Sequence, residues 1–128
     1  MESTVSIDQF QEELQSWKHE LSSFKQQIRH FEKQLEQMSI QKLPKDLLAQ
    51  VEHFQNNFIC QNEVIDKLRH DLPDSRHKVE HIFKSSGVFH QDHTGHDVQD
   101  TLRERMDMFR RISDELKDEF RRFESEWF

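Results

Sequence analysis

The chain has 128 residues, a net charge of −7 and a mean hydropathy of −0.99, and it contains 11 Phe but only 2 Gly and 2 Pro. The acidic balance argues against a nucleic-acid binder, which needs basic residues to displace phosphate counterions. Few Gly and Pro with many Glu, Gln, Lys, Leu and Arg indicate a mostly helical protein, and the phenylalanines argue against disorder. We expect a single domain over residues 1–128.

The location of the protein is predicted from what the sequence lacks. No apolar run approaches the roughly 18 residues that a membrane-spanning helix needs. The first residues, "MESTVSIDQF", lack the basic and apolar regions of a signal peptide. Cys60 is the only cysteine of the sequence, so an intrachain disulfide is impossible and a reducing compartment fits. We therefore expect a cytoplasmic protein without a membrane span.

The first predicted helix runs from about residue 7 to about residue 41. Its apolar residues recur with alternating spacings of three and four, which is the heptad pattern of a long amphipathic helix. The helix should end before Leu43-Pro44, because proline disfavours helical geometry in the preceding residue. The apolar positions are Ile7, Phe10, Leu14, Trp17, Leu21, Phe24, Ile28, Phe31, Leu35 and Met38.

The second predicted helix starts behind Pro44 and shows the same spacing. Pro73 interrupts it, because proline lacks a backbone donor and clashes with the carbonyl group four residues earlier. The heptad phase nevertheless continues through Ser75, Val79 and Ile82, so we predict one helix from 45 to 85 that is kinked at Pro73. The alternative is a break and a short extra helix from 74 to 86. The stripe before the proline is Leu47, Val51, Phe54, Phe58, Gln61, Ile65, Leu68 and Leu72.

The third predicted helix covers about residues 95–127, and its apolar spacing averages near 3.6, which is typical of a straighter helix than a strict heptad gives. Short turns between long helices make neighbours antiparallel. The sequence therefore predicts an all-α, antiparallel up-down-up three-helix bundle with coiled-coil packing. The third stripe is Val98, Leu102, Met106, Phe109, Ile112, Leu116, Phe120, Phe123 and Trp127.

Five of the nine histidines fall in the segment "HKVEHIFKSSGVFHQDHTGHD", residues 77–97. At 100° per residue, His70, His77 and His81 point away from the apolar stripe of their helix, which disfavours an interior hemerythrin-like or ferritin-like metal site. Imidazole and carboxylate groups on the outside could still bind zinc, copper or nickel. The competing interpretation is a solvated loop. The candidate metal ligands are His77, His81, His90, Asp92, His93 and His96.

Four polar residues are predicted to be buried for structural reasons. Gln61 occupies a stripe position of the second helix, and Arg105 lies close to the stripe of the third. Glu13 and Glu20 lie at the edge of the first stripe at a similar height. We expect Arg105 to pair with one of these glutamates, because an unpaired inward charge is costly. Buried polar groups of this kind can fix the register of helices.

Two segments carry a resemblance to known proteins. The stretches "FQEELQSWKHEL" (residues 10–21) and "VEHFQNNFICQNEVIDKL" (residues 51–68) resemble small bacterial helical-bundle proteins without an assigned activity. With Trp17 in its first helix, the chain is also similar to a single spectrin-type three-helix unit. These resemblances imply a bundle fold, and fold alone does not imply a function.

The predicted function is non-enzymatic. The sequence has no phosphate-binding loop, no nucleophile with a base and no inward carboxylate pair. We expect helical surfaces that bind a protein partner or a second copy of the chain, without a cofactor. Leu43, Trp127 and Phe128 are predicted either to cap the core or to form an apolar interaction patch at one end of the bundle. The alternative function is metal handling through residues 77–97.

Overall fold

The computed structural model describes the backbone of residues 7–86 and 93–127 and the side chains of residues 8–81 and 98–127. Within this part of the chain there is no strand, and no helix combines the length and apolar character needed to cross a membrane. The prediction of an all-α protein with three long helices is confirmed. The helices are α1 (Ile7–Ser39), α2 (Lys45–Ser86) and α3 (His93–Trp127).

A serine and a proline define the turn between α1 and α2. Ser39 Oγ donates a hydrogen bond to the carbonyl oxygen of Glu36 at 2.8 Å, and α1 ends there rather than near residue 41. The carbonyl oxygen of Pro44 accepts a hydrogen bond from Leu48 N at 3.0 Å. The first backbone N–H groups of a helix have no acceptor within the helix. A proline at this point therefore loses no helical hydrogen bond, and α2 can start directly after Pro44.

The second helix continues through Pro73. Leu72, Ser75 and Val79 are buried on both sides of the proline, so the heptad phase is kept. Pro73 lies on the exposed side of α2, where water can hydrate the carbonyl group of Arg69 that loses its helical partner. The prediction of one continuous helix is confirmed and the predicted alternative, a break, is wrong. The kink stays a prediction.

One hydrophobic cluster with members from all three helices forms the core. The described stripe positions of α1 and α2 are buried, except that Phe24 is partly buried at the edge of the cluster. Four phenylalanine rings meet in the half of the core nearest the α1–α2 turn. Their contacting ring centroids lie 5.1 to 6.2 Å apart, in the range where aromatic pairs add to the stabilisation from burial. The rings are Phe31, Phe54, Phe58 and Phe120.

The buried stripe of α3 differs from the predicted stripe. Ser113 is only 6% exposed, whereas the neighbouring Ile112 is 42% exposed. Gln99 is buried in the same way, whereas Val98 is partly buried. The buried residues therefore keep strict spacings of three and four, and the predicted spacing near 3.6 is wrong. They are Gln99, Leu102, Met106, Phe109, Ser113, Leu116, Phe120 and Phe123.

A buried hydrogen bond joins α2 and α3 at this stripe. Gln61 Nε2 donates to Ser113 Oγ at 2.6 Å, and both side chains are buried. A buried polar group without a partner is costly, so the core stabilises the alignment of α2 and α3 in which this bond forms. The burial that was predicted for Gln61 is thus confirmed, and its partner Ser113 is a residue that the predicted stripe of the third helix does not include.

Removing one partner of this bond should cost more than removing both. We expect Ser113→Ala to lower the free energy of unfolding by about 1–3 kcal/mol, because the Gln61 amide is left buried without an acceptor. The double variant Gln61→Leu/Ser113→Ala should recover most of that loss. Urea denaturation followed by circular dichroism measures both, with the exposed Ser23→Ala as the control. A double variant no more stable than Ser113→Ala would contradict the assignment.

Candidate functional site

The polar contacts of Arg105 differ from the predicted ones. Arg105 Nη2 donates to Asp71 Oδ2 of α2 at 2.9 Å, so the predicted pairing with Glu13 or Glu20 is wrong. Arg105 directly precedes the core residue Met106 and lies on the flank of α3 that faces α2. Arg105 and both glutamates are half-buried rather than buried.

The two glutamates instead belong to a row of contacts between α1 and α3. Each contact joins residues 90 positions apart and recurs every seven residues along both helices, so all of them lie on the same flank of the bundle. The hydrogen bonds that Arg110 donates to Glu20 raise the pKa of Arg110 above its usual range. The pairs are Glu13–Arg103 at 2.9 Å, Glu20–Arg110 at 2.9 Å and Gln27–Lys117 at 3.4 Å.

Gln99 extends this row into the core. Its Nε2 donates to Glu13 Oε1 at 2.8 Å, which gives the glutamate a second donor beside Arg103. Gln99 Oε1 is buried and has no hydrogen-bond partner among the described residues. Sequence reasoning missed both Gln99 and Ser113 because each stands next to an apolar residue, Val98 or Ile112. A strict seven-residue step from Met106 in both directions would have identified them.

The described histidines lie on the outside of the bundle. All six whose side chains are described are exposed, as the helical angles predict, and they leave the core without an imidazole ligand in the described part of the chain. His90 and Asp92 lie outside the described residues, as do the side chains of His93 and His96. His93 begins α3. The exposed residues are His19, His30, His53, His70, His77 and His81.

A different group has metal-ligand spacing. The ligand atoms of His70, Asp71 and Asp74 lie within 4.8 Å of one another on the surface of α2. Asp71, however, accepts a hydrogen bond from Arg105 and lies 3.5 Å from Lys67 Nζ. Two cations already balance its charge, and a metal ion would have to displace them. The group includes none of the six predicted ligands.

The predicted patch at the end of the bundle is only partly described. Leu43 is half-buried and packs against the core, and Trp127 stays nearly half exposed at the end of α3. Phe128 lies outside the described residues. Leu43 therefore contributes to the core, and of the three residues only Trp127 is described as exposed apolar surface.

The structure brings together an apolar surface that the sequence did not indicate. A groove of about 680 Å³ runs between α2 and α3, with Leu68 and Phe109 of the core in its lining. Met108 is 50% exposed, and Ile112 and Val64 are exposed to a similar degree. The exposed Cys60 also belongs to the lining. We call Cys60, Val64, Met108 and Ile112 with these two core residues the α2/α3 groove.

Charged residues of both signs border the α2/α3 groove. Glu63 and Lys67 lie on α2, and Glu104 and Arg105 lie on α3. Arg111 of α3 extends across the groove border, since its Nη2 lies 3.0 Å from the sulfur atom of Met108. Acidic and basic residues therefore lie on both sides of an apolar surface.

Comparison of the chain with protein-family models, with curated proteins and with solved structures finds no match.

Asp71 should make stability depend on pH. Burial raises the pKa of Asp71, but the hydrogen bond from Arg105 and the charge of Lys67 together lower it below its usual value. The ionised form thus favours the folded state. Its contribution is complete above the unfolded pKa of about 3.9 and is lost as the pH falls through the lower folded pKa.

We expect Asp71→Asn to cost about 1 kcal/mol or less near pH 7, because the ion pair is partly exposed. Between about pH 5 and pH 2 the variant should lose less stability than the unsubstituted protein. Urea midpoints at several pH values measure the difference, and Asp118→Asn on the exposed surface of α3 is the control. Identical pH profiles for Asp71→Asn and the unsubstituted protein would contradict the stabilising role of the pair.

Proposed function

We propose that this chain is an antiparallel up-down-up three-helix bundle that acts without catalysis, by associating with a second copy of itself through the α2/α3 groove. A cytoplasmic location belongs to the same proposal and is supported by the exposed free thiol of Cys60, which suits a reducing compartment.

The order of contacts between helices supports the antiparallel arrangement. From the start to the end of α1, the contacted residues of α2 shift toward the start of α2. The contacted residues of α3 shift in the opposite sense, toward the end of α3. This order is the one produced when α2 runs opposite to both other helices. The α1–α2 pairs are Gln11–Glu80 and Lys25–Asp66, and the α1–α3 pairs are Glu13–Arg103 and Glu20–Arg110.

The exposed apolar lining of the α2/α3 groove is the observation that carries the association proposal. Val64, Met108 and Ile112 come from two helices and gather in one concave surface, although each is substantially exposed. Contiguous apolar surface with a polar border is typical of sites where proteins associate. The apolar side chains provide contact area for a partner.

The charges along the groove favour a second copy as the occupant. Consider a two-fold axis that is perpendicular to the helices and lies in the interface at the height of Ile65. This axis places the α2 helices of the two copies side by side and antiparallel. Glu63 of each copy then lies beside Lys67 of the other. On α3, Glu104 and Arg111 likewise place charges of both signs near Met108. An interface of this symmetry must be complementary to itself, and alternating charges meet that requirement.

Sedimentation equilibrium tests the self-association. The mass should rise with protein concentration from 15.7 kDa toward about twice that value. Met108→Glu should keep the protein near the monomer mass, because it places a charge in the apolar interface. Ile59→Glu is the matched control, since Ile59 of α2 is as exposed as Met108 of α3 but is not part of the groove lining. A monomer at all concentrations, or equal loss with Ile59→Glu, would contradict the proposal.

A charge exchange tests the orientation of the two copies. Lys67→Glu should weaken the dimer at least about threefold, because two acidic residues then face each other across the axis. Adding Glu63→Lys to the same chain should restore affinity, since the exchanged charges again alternate. Association constants from sedimentation provide the comparison. If the double variant associates more weakly than Lys67→Glu alone, the antiparallel pairing of the two α2 helices is wrong.

A further inference from the structure

A second groove lies between α1 and α2, on another flank of the bundle. Its volume is about 550 Å³, within the range of about 300–1,000 Å³ that is typical of small-molecule sites. Leu14 and Leu72 of the core contribute apolar surface to it, and Pro73 is a third apolar residue of its lining. We call this cavity the α1/α2 groove.

The charged lining of the α1/α2 groove is mainly basic. Lys18, Arg69 and Arg76 line it, and Asp66 is its one acidic lining residue among those described. Asp66 is hydrogen-bonded to Lys25, and this bond lowers the pKa of the Asp66 carboxyl group. A cation outside the lining therefore already neutralises Asp66. The groove is locally positive although the whole chain carries a net charge of −7.

Two of the three cations have no acidic partner. Arg76 Nε donates to Glu80 Oε2 at 3.4 Å, so its charge is shared with a carboxylate. Lys18 and Arg69, in contrast, form no hydrogen bond or ion pair with any described side chain, and Arg69 acts on Asp66 only through the field of its charge. The groove thus combines about two uncompensated positive charges with an apolar floor.

We propose that the α1/α2 groove binds a small organic phosphate monoester, whose phosphate group lies between Lys18 and Arg69 and whose apolar part packs on Leu14, Leu72 and Pro73. A guanidinium group binds phosphate oxygens through two parallel hydrogen bonds, and an ammonium group adds a point charge. A phosphate monoester is close to a dianion at neutral pH and matches the two free cations. The apolar floor distinguishes an organic ester from inorganic phosphate, which has no group to cover it.

This binding site is independent of the association proposed for the α2/α3 groove. The two grooves share no lining residue and lie between different helix pairs. Loss of self-association would therefore leave ligand binding intact, and the two experiments can fail separately.

Phenyl phosphate is a suitable probe, titrated into the ¹⁵N-labelled protein and followed by chemical shift changes of the backbone amides. We expect saturable shifts concentrated in residues 11–18 and 66–76. Phenyl phosphate should bind at least about tenfold more tightly than inorganic phosphate, because only the ester covers the apolar floor. Phenol and benzenesulfonate should bind more weakly than phenyl phosphate, since the first lacks charge and the second carries only one.

Substitutions identify the residues responsible. Lys18→Gln/Arg69→Gln should weaken phenyl phosphate binding at least about tenfold, because two charge-assisted contacts are lost. Lys78→Gln/Arg121→Gln removes the same formal charge from exposed positions outside the groove and should leave binding unchanged. Both variants replace exposed side chains, and the amide spectrum of each confirms that it folds.

Three results would overturn the proposal. Shifts spread evenly over all basic surface residues would indicate general attraction of anions. Equal affinity for inorganic phosphate and phenyl phosphate would remove the role of the apolar floor. Unchanged binding by Lys18→Gln/Arg69→Gln would place the anion elsewhere.

Discussion

Strict heptad spacing on all three helices is the constraint on which the rest of the structure depends. It buries positions three and four residues apart whatever their chemistry, so Gln61 and Ser113 lie in the core and must bond to each other. The same rule decides what stays outside. Ile112 is apolar but falls one position away from the buried stripe, and it therefore becomes part of the α2/α3 groove.

The three flanks of the bundle differ because different residues occupy the positions next to the core. Between α1 and α3, charged and amide side chains meet every seven residues and close the flank. Between α2 and α3, polar contacts are made at two levels, by the ion pair Asp71–Arg105 and by the contact His53–Glu119. The apolar residues Val64 and Ile112 occupy the stretch between these two levels. The α2/α3 groove is located where apolar residues interrupt the polar contacts.

Much of the fold could be predicted from the sequence, because hydrophobic spacing reports which side of a helix is buried. The stripes of α1 and α2 and the continuity of α2 through Pro73 agree with the structure. The prediction was wrong where polarity and spacing disagree, at Ser113 and its neighbour Ile112. The predicted partner of Arg105 was also wrong. Spacing shows that Arg105 lies at the edge of the buried stripe, but it does not show which neighbouring helix this edge faces. Packing of three helices around one another decides that choice, and no single helix encodes it.

The thiol of Cys60 allows the most direct test of the central claim, which is that the exposed apolar lining of the α2/α3 groove is covered by a second copy of the chain. Cys60 is exposed, lines the groove and is the only cysteine, so an alkylating reagent reports on this surface in the unsubstituted protein. The labelling rate under reducing conditions should fall as the protein concentration rises through the association range. A labelling rate that is the same at all concentrations would show that the groove stays open and would contradict the account.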